Sequence, residues 1–522
     1  MPPPGAAANP SSVLSSSDRG RARWARRASL LLLLAACVAI RMVSLTDKPL
    51  WFDECFSVEV ARISWGNFLR LLWWREANMS LYYLLLRMWL HAGQSEAFIR
   101  SLSVWVAAAT LPAIYWVGRL LYNRRVGLIA AALFTFNAYS VRYAQEARSY
   151  ALFLLLATLS SGLLIRFLRE PERRNRLAYF VVSILAVYAH FYALLLLAVH
   201  WMALRWLSPM RIAEDLPLTL PPKMRRTWIA IGVGVLPLLI FVAKTGAGPI
   251  RWIQRPGLRD VIEFYEHLAG SASWPLLAIY AVAGLAAVLP VGRRLFIGRQ
   301  NWEVWRCQFL FLWLLFPVVL TVMLSYARPV FLGRYMIFCL PPLLILTAAG
   351  LAKLRKSWLL AGALTAILLL GAQGVMFVYG HDFDNERDAS AAASNFILDH
   401  SQPGDAAVFH IAETRIPYEF FRSARAGENT ASPRFAAQLG PEILFPYHGA
   451  GLDYRDFTGK PTRDFLREVS PAHPRVWIML MNNGPAGSPD PTTVMLTEVL
   501  PESFPKVRKW QFPKVEVRLY SK

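Results

Sequence analysis

The sequence predicts a polytopic α-helical membrane protein of about 11 spans. Its N-terminus lies inside and its C-terminus outside, followed through by a C-terminal extracytoplasmic α/β domain. Three observations predict this class. Hydrophobic residues make up 55% of the 522, the aromatic residues Trp, Tyr and Phe number 68, and only 17% are charged. Mean hydropathy is +0.35. A soluble surface needs more charge than that, and a disordered chain far less apolar content. The second observation is a series of apolar runs long enough for a bilayer, and the third is where the basic residues fall between them.

The elements follow in order. Residues 1–28 form a basic tail: 2–18 are rich in Pro, Ala and Ser and read as disordered, and Arg19, Arg21, Arg23, Arg26 and Arg27 precede the first apolar run. Residues 29–379 hold eleven such runs, at 29–45, 101–121, 126–143, 149–167, 177–190, 192–207, 227–243, 274–291, 306–325, 335–351 and 358–379. A bilayer core of ~30 Å takes about 20 apolar residues per helix, and the fifth and sixth runs are short. Residues 46–100 form the first outer loop. Leu81 to Leu90 is apolar over only ten residues and reads as an interfacial helix. No small-residue cleavage site follows the first run, so it is not read as a signal peptide.

Orientation comes from the loops. If the runs alternate, every second connection should be basic. Arg124-Arg125, the arginines between Arg166 and Arg176, Lys223 to Arg226, Arg293-Arg294 and Lys353 to Lys356 all fall on that side. The tail and these loops carry 25 Lys+Arg against 6 Asp+Glu, the outer loops 15 against 10, and residues 380–522 carry 16 against 18. The formal charge of +22 is therefore a topology signal, with no nucleic acid as partner.

Residues 380–522 read as the α/β domain. Ala389 to His400 has a helical pattern, Gly404-Asp405 a turn, and Ala406–His410, Val476–Leu480 and Val515–Tyr520 strand patterns. No nucleotide loop appears in it. The four cysteines, Cys37, Cys55, Cys307 and Cys339, show no metal or disulfide spacing.

Chemistry-bearing residues cluster at the outer ends of the runs. Asp53-Glu54 sit between aromatics just past a membrane boundary. A carboxylate there suits a general base, and the structural alternative is an acidic helix start. Neighbours on a helix point ~100° apart, so only one need face a substrate. Arg142 to Tyr150 holds Glu146 and Arg148 close to apolar chain; the alternative is an Arg–Glu lock. His190 and Tyr192 mark the fifth turnaround as substrate-pocket candidates, against a plain packing role. The loop from Lys244 to His267 is basic, and Arg334-Tyr335 precede the tenth run. An arginine there suits a phosphate, and the alternative is a snorkelling anchor.

These residues bring a family into view. The chain resembles the C-superfamily membrane glycosyltransferases, in the branch of protein O-mannosyltransferases and the lipid A aminoarabinose transferase (family 39 and its RgtA-to-RgtD-like members). Asp53-Glu54 resembles the Asp-Glu motif of the family's first outer loop. Leu81 to Leu85 is similar to its Leu-Tyr-Tyr-Leu-Leu stretch, Ser95-Glu96 through Arg100-Ser101 to its Ser-Glu…Arg…Ser, and Gln145 to Tyr150 to its Gln-Glu-Ala-Arg-x-Tyr. Arg334, Tyr335 and Pro341 resemble its late Arg-Tyr…Pro. The likeness is continuous over about residues 45–205. Asn78-Met79-Ser80 departs from the family's two prolines before Leu-Tyr.

The resemblance implies an inverting glycosyltransferase moving a hexosyl or pentosyl unit. The donor would be a polyprenyl-phosphate sugar, the acceptor an extracytoplasmic protein, lipid or glycan, and the setting the plasma membrane among its lipids. Asp53 and Glu54 would be the catalytic pair. Arg148, Arg334, Tyr335, Glu146, Tyr82 and Asn78 would lie around the donor and its phosphate. No cofactor is required by the residues; a divalent metal ion is the open option, with Glu266 and His267 as its candidates. The alternatives are a lipid-linked oligosaccharide ligase and a non-catalytic envelope scaffold or transporter. A transporter would place its polar groups near span midpoints, and here they sit at the ends.

Overall fold

The computed structural model describes residues 16–207, 221, 223–245, 253–270, 274–296, 301–381, 387–409, 411–426, 439–444, 452–457, 461–481 and 491–522. Each of the eleven predicted runs falls on helix. They are α1 (Ser16–Met42), α5 (Glu96–Leu121), α6 (Arg124–Thr135) with α7 (Ala138–Ala144), α8 (Tyr150–Arg169), α9 (Arg173–Ala189), α10 (Ala193–Leu207), α11 (Met224–Thr245), α13 (Trp274–Phe296), α14 (Trp302–Ala327), α15 (Leu340–Leu351) and α16 (Ser357–Gly380). The connections add α2 (Phe52–Arg62), α3 (Trp65–Trp74), α4 (Ser80–Trp89) and α12 (Leu258–Ala269).

Seven of the described helices are long and apolar enough to cross a membrane: Glu96–Leu121, Tyr150–Arg169, Met224–Thr245, Trp274–Gly292, Trp302–Ala327, Gly333–Leu351 and Ser357–Gly380. The other predicted runs lie on α1, on the α6–α7 pair, and on α9 and α10, which have only 17 and 15 residues. Two expectations are corrected. The stretch 2–18, read as disordered, runs into α1, which already starts at Ser16 and carries the arginines into the first run. The run 126–143 is two helices, broken at Phe136-Asn137. The run 335–351 falls on the candidate span Gly333–Leu351 as expected, which opens as a 3-10 turn, Gly333–Cys339, before becoming α15.

The break has a physical reason. A helix that stops within apolar surroundings strands its last carbonyls. Arg41, fully buried, donates to the carbonyl oxygens of Phe134 at 3.1 Å and Thr135 at 3.2 Å, and to Ser140 Oγ at 2.6 Å. Asn137 then starts α7, its Oδ1 accepting from Ser140 N at 2.8 Å while its Nδ2 donates to the Leu268 carbonyl at 3.0 Å. The chain after α12 passes so close that Gly270 sits at φ 109°, and a Cβ there would come within 2.9 Å of Asn137 Nδ2. Arg41→Leu is expected to lower stability by about 3 kcal/mol, since charge-assisted bonds are lost and buried carbonyls go unpaired. A fall in the detergent-solubilised melting temperature measures it.

The C-terminal part is a three-layer α/β fold. Strands β1 (Ala406–Phe409), β2 (Glu442–Ile443), β3 (Arg475–Met481), β4 (Lys506–Phe512) and β5 (Val515–Ser521) form one sheet in the order β2-β1-β3-β5-β4. The β1 pairings are parallel and those of β5 antiparallel. Helices α17 (Arg387–His400) and α18 (Ala412–Arg425) pack on one face over Ala407, Phe409, Trp477 and Met479. Helices Arg463–Val469 and Pro491–Ser503 cover the other face over Val408, Ile478 and Leu480. β3 is covered on both sides, which is why Val476 to Met481 is a continuous apolar run.

Candidate functional site

The site is assembled at the end of the helical bundle that carries the α/β domain. Trp51 precedes α2 in an extended conformation, and Asp53 and Glu54 fall in its first turn. The helix's free N–H groups and dipole favour acids there. The two carboxylates then diverge, as their ~100° spacing requires.

Asp53 faces two guanidinium groups. Its Oδ2 lies 3.6 Å from Arg148 and 3.8 Å from Arg334, and its carboxylate keeps 16% of its area exposed. Arg148 comes from the turn between α7 and α8 and also donates to the Asp53 carbonyl at 3.3 Å and to Ser57 Oγ at 3.4 Å. Arg334 comes from the 3-10 turn and lies over the Trp51 and Tyr335 rings. That turn is anchored by Tyr139, whose hydroxyl donates to the Gly333 carbonyl at 2.7 Å. Three stretches nearly 300 residues apart in sequence thus converge on one carboxylate.

An aromatic wall backs the arginines. Tyr335 contacts His190 and Tyr192 at centroid distances of 4.7 and 5.2 Å. His190 stacks on Phe153, and its Nδ1 accepts from Tyr192 N at 3.2 Å. His190 is fully buried, and its Nε2 has no hydrogen-bond partner among the described residues. Tyr192 donates to the Val330 carbonyl and so holds the segment leading into Arg334.

Four of the expected site residues make close contacts with the surrounding scaffold. Glu54, expected in the catalytic pair, is fully buried. Both its oxygens are taken by Arg100, at 2.8 and 2.7 Å, and Oε1 also accepts from Ala147 N at 2.9 Å. Arg100 in turn ties down the carbonyls of Leu45, Lys48 and Pro49. Glu54 therefore locks α2 to the start of α5 and to the Arg148 turn, and touches no open space. Glu146 faces Arg142 at 3.7 Å, the structural lock. Tyr82 is buried with its hydroxyl 2.9 Å from Ser103. Asn78 Oδ1 accepts from Phe191 N at 3.1 Å, pinning the first outer loop to the His190 turn.

The Asn78-Met79-Ser80 stretch has its own geometry. Met79 is buried in the left-handed region at φ 66°, uncommon for a long side chain. The turn it makes leads into α4, and Glu76 lies just before it, its N–H bonded back to the Leu71 carbonyl of α3. Glu76 is half-buried by area, yet packed closely enough that desolvation pushes its carboxyl up to about 7; Arg148 opposes the shift and Asp53 adds to it. This third carboxylate, near enough to Arg148 and Asp53 to feel both charges, was missed from sequence. Its only signal was an acid beside the departure from the family's proline pattern.

The donor set for a metal does not assemble at Glu266-His267. His267 Nδ1 is engaged by the Glu263 carbonyl at 2.7 Å, and no group of three or more His, Cys, Asp or Glu side chains gathers among the described residues. His267 instead lines a cavity of about 450 Å³ with Gln254, Arg255, Asp260, Phe331 and Gly333, adjoining the backbone of Arg334. Arg251, also in that loop, lies outside the described residues.

Comparison with known proteins gives the fold. No family profile matches the chain, and no curated protein matches it by sequence. Solved structures do. ArnT from Cupriavidus metallidurans in the apo state superposes with a TM-score of 0.59 at 11% identity, covering 96% of this chain and 98% of that one. The same enzyme bound to undecaprenyl phosphate gives 0.58 at 12%, covering 94% and 97%. The mycobacterial arabinofuranosyltransferase AftD gives 0.50 at 15%, covering 98% of this chain and 40% of that one. The chain shares the fold of these membrane glycosyltransferases over nearly its whole length.

Proposed function

We propose that this chain is an inverting glycosyltransferase that moves a sugar from a polyprenyl-phosphate donor to an acceptor hydroxyl on the outer face of the membrane. The observation that carries the reading is Asp53, part-exposed and held between Arg148 and Arg334 at the domain-bearing end of the bundle. The basic residues of the opposite loops support an outer position for that end. The undecaprenyl phosphate bound by a protein of the same fold supports a polyprenyl-phosphate carrier.

The chemistry follows from the parts. The acceptor hydroxyl attacks the anomeric carbon opposite the phosphate. A C–O bond forms there as the bond to the phosphate oxygen breaks. Asp53 takes the hydroxyl proton, and the polyprenyl phosphate leaves with its electron pair. Arg334 and Arg148 stabilise the charge that grows on the leaving oxygen. Glu54 acts through Arg100 to hold α2 in place. The lipid tail lies against the apolar helices, so the enzyme must reside in the bilayer.

The test is purified protein with host lipids, incubated with radiolabelled polyprenyl-phosphate mannose and then other polyprenyl-phosphate sugars. Consumption of one donor, with inversion at the anomeric carbon, supports the reading. No consumption of any single-sugar donor by folded protein moves the assignment to an oligosaccharide ligase.

Glu76 makes the reaction pH-sensitive with a defined sign. Below pH about 7 it is neutral, and Asp53, Arg148 and Arg334 leave the site with one net positive charge. Above that pH it is ionised and the net charge is cancelled. Binding of an anionic donor phosphate should weaken as pH rises. The donor KM is expected to rise about fivefold to tenfold between pH 6 and pH 8. Glu76→Gln should flatten that profile, and an unchanged profile in the variant rejects the role.

A further inference from the structure

The helix that carries Asp53 is held from two sides. α2 has 11 residues, about 16 Å of helix, and its ends run into loops. One side, with Glu54 and Ser57, meets Arg100 and Arg148 of the bundle. The other side meets the C-terminal domain. Phe56, three residues on from Asp53, packs edge-to-face against Phe457 at a centroid distance of 5.1 Å. Arg62 lies over the Phe420 ring of α18 at 5.4 Å. Phe420, Phe421, Ile416 and Phe457 are buried and belong to the same apolar core as the bundle helices.

The contact is also strongly polar. Arg415, Glu419 and Arg422 of α18 are each 3% exposed, Asp456 is 4% and Glu59 of α2 is 6%. Within α18, Arg415 and Arg422 both pair with Glu419 at 2.5 Å, and within α2 Glu59 pairs with Arg62 at 2.9 Å. Desolvation pushes the Asp456 carboxyl up to about 6, against Arg415. Buried ion pairs of this kind contribute little net stability against an apolar alternative. They close within each helix, so the contacts that cross from α2 to the domain include the edge-to-face Phe56–Phe457 pair and Arg62 over Phe420, whose geometry is directional.

We propose that the C-terminal domain is a positioning element for Asp53, with Phe457 and α18 setting the rotation of α2 so that its carboxylate meets the two arginines. The role rests on the proposed transferase reading for its effect on turnover, but not for its effect on the helix. A 20° turn of α2 moves a side-chain end by more than an ångström, and misplacements of that size cost about a hundredfold in rate. Phe457 touches no reacting atom, so it acts only through Phe56.

The experiment compares full-length wild type, Phe457→Ala and Phe457→Leu by hydrogen exchange and by donor turnover. Phe457→Ala is expected to raise exchange in the peptides of α2 while those of β3 and β5 stay protected. It should lower kcat tenfold to a hundredfold with the donor KM unchanged. Phe457→Leu should restore most of both. Should Phe457→Ala also expose β3 and β5, Phe56→Ala makes the same cut from the bundle side. Unchanged α2 exchange in both alanine variants overturns the proposal. So does raised α2 exchange with kcat intact. The exchange readout stands even if the wild type consumes none of the donors offered, so failure of the transferase reading is told apart from failure of this one.

Discussion

Asp53→Asn is expected to lower donor turnover by about 10²–10⁴-fold, the usual contribution of a positioned general base. The substitution keeps size and shape and removes one charge and the proton-accepting oxygen. Folding should survive, because α2 is held by Glu54 on Arg100 and by Phe56 on Phe457 rather than by Asp53. The kinetic split identifies the role. A fall in kcat with the donor KM unchanged is the signature of lost proton transfer. A change confined to KM would mean that Asp53 merely holds Arg148 and Arg334 in place for the donor. Turnover near wild type would remove Asp53 from the mechanism. The melting temperature of the variant, matched to wild type, keeps the comparison clean.

Arg334→Gln is expected to lower kcat by about 10²–10³-fold, as when one donor to a developing oxyanion is removed. Arg334 is the better choice than Arg148 for this test. Arg148 also bonds the Asp53 carbonyl and Ser57, so its loss would disturb α2 itself. Arg334 leans on Trp51 and Tyr335, and its turn is fixed independently by Tyr139 and Tyr192. Arg334→Lys keeps the charge but not the planar fork, and should recover only part of the rate. Full activity in Arg334→Gln would show that leaving-group charge is stabilised elsewhere. The double variant with Asp53→Asn should be far less than additive, since the two groups act on one transition state.

Much of this was legible in the linear chain. Apolar runs with basic punctuation announced a bundle, because the bilayer imposes one length scale and one charge bias on every span. Asp53, Arg148, Arg334, His190 and Tyr192 stood out as polar groups at run ends, and they meet at one site. The partner of Glu54 was not legible, because a carboxylate's partner is invisible from sequence: Arg100 lies 46 residues away. Glu76 went unnoticed, since an isolated acid in a loop looks solvated until the fold packs around it. In the C-terminal domain, β3 and β5 were legible from their apolar content. The edge strands β2 and β4 and the helix α18 were not, since β4 is largely exposed and α18 is crowded with charge.

The sequence by itself determined which segments are apolar enough to pack as a helical bundle and which form the α/β part. Transfer free energies add along the chain and need no knowledge of neighbours, so hydropathy was enough for that division. Only the tertiary structure decided which charges face each other. Arg41 mends a broken helix, Arg100 captures Glu54, Arg148 and Arg334 bracket Asp53, and the C-terminal domain grips the helix beneath. An ion pair's worth depends on separations of a few ångströms and on burial, and those quantities exist only after the chain has folded.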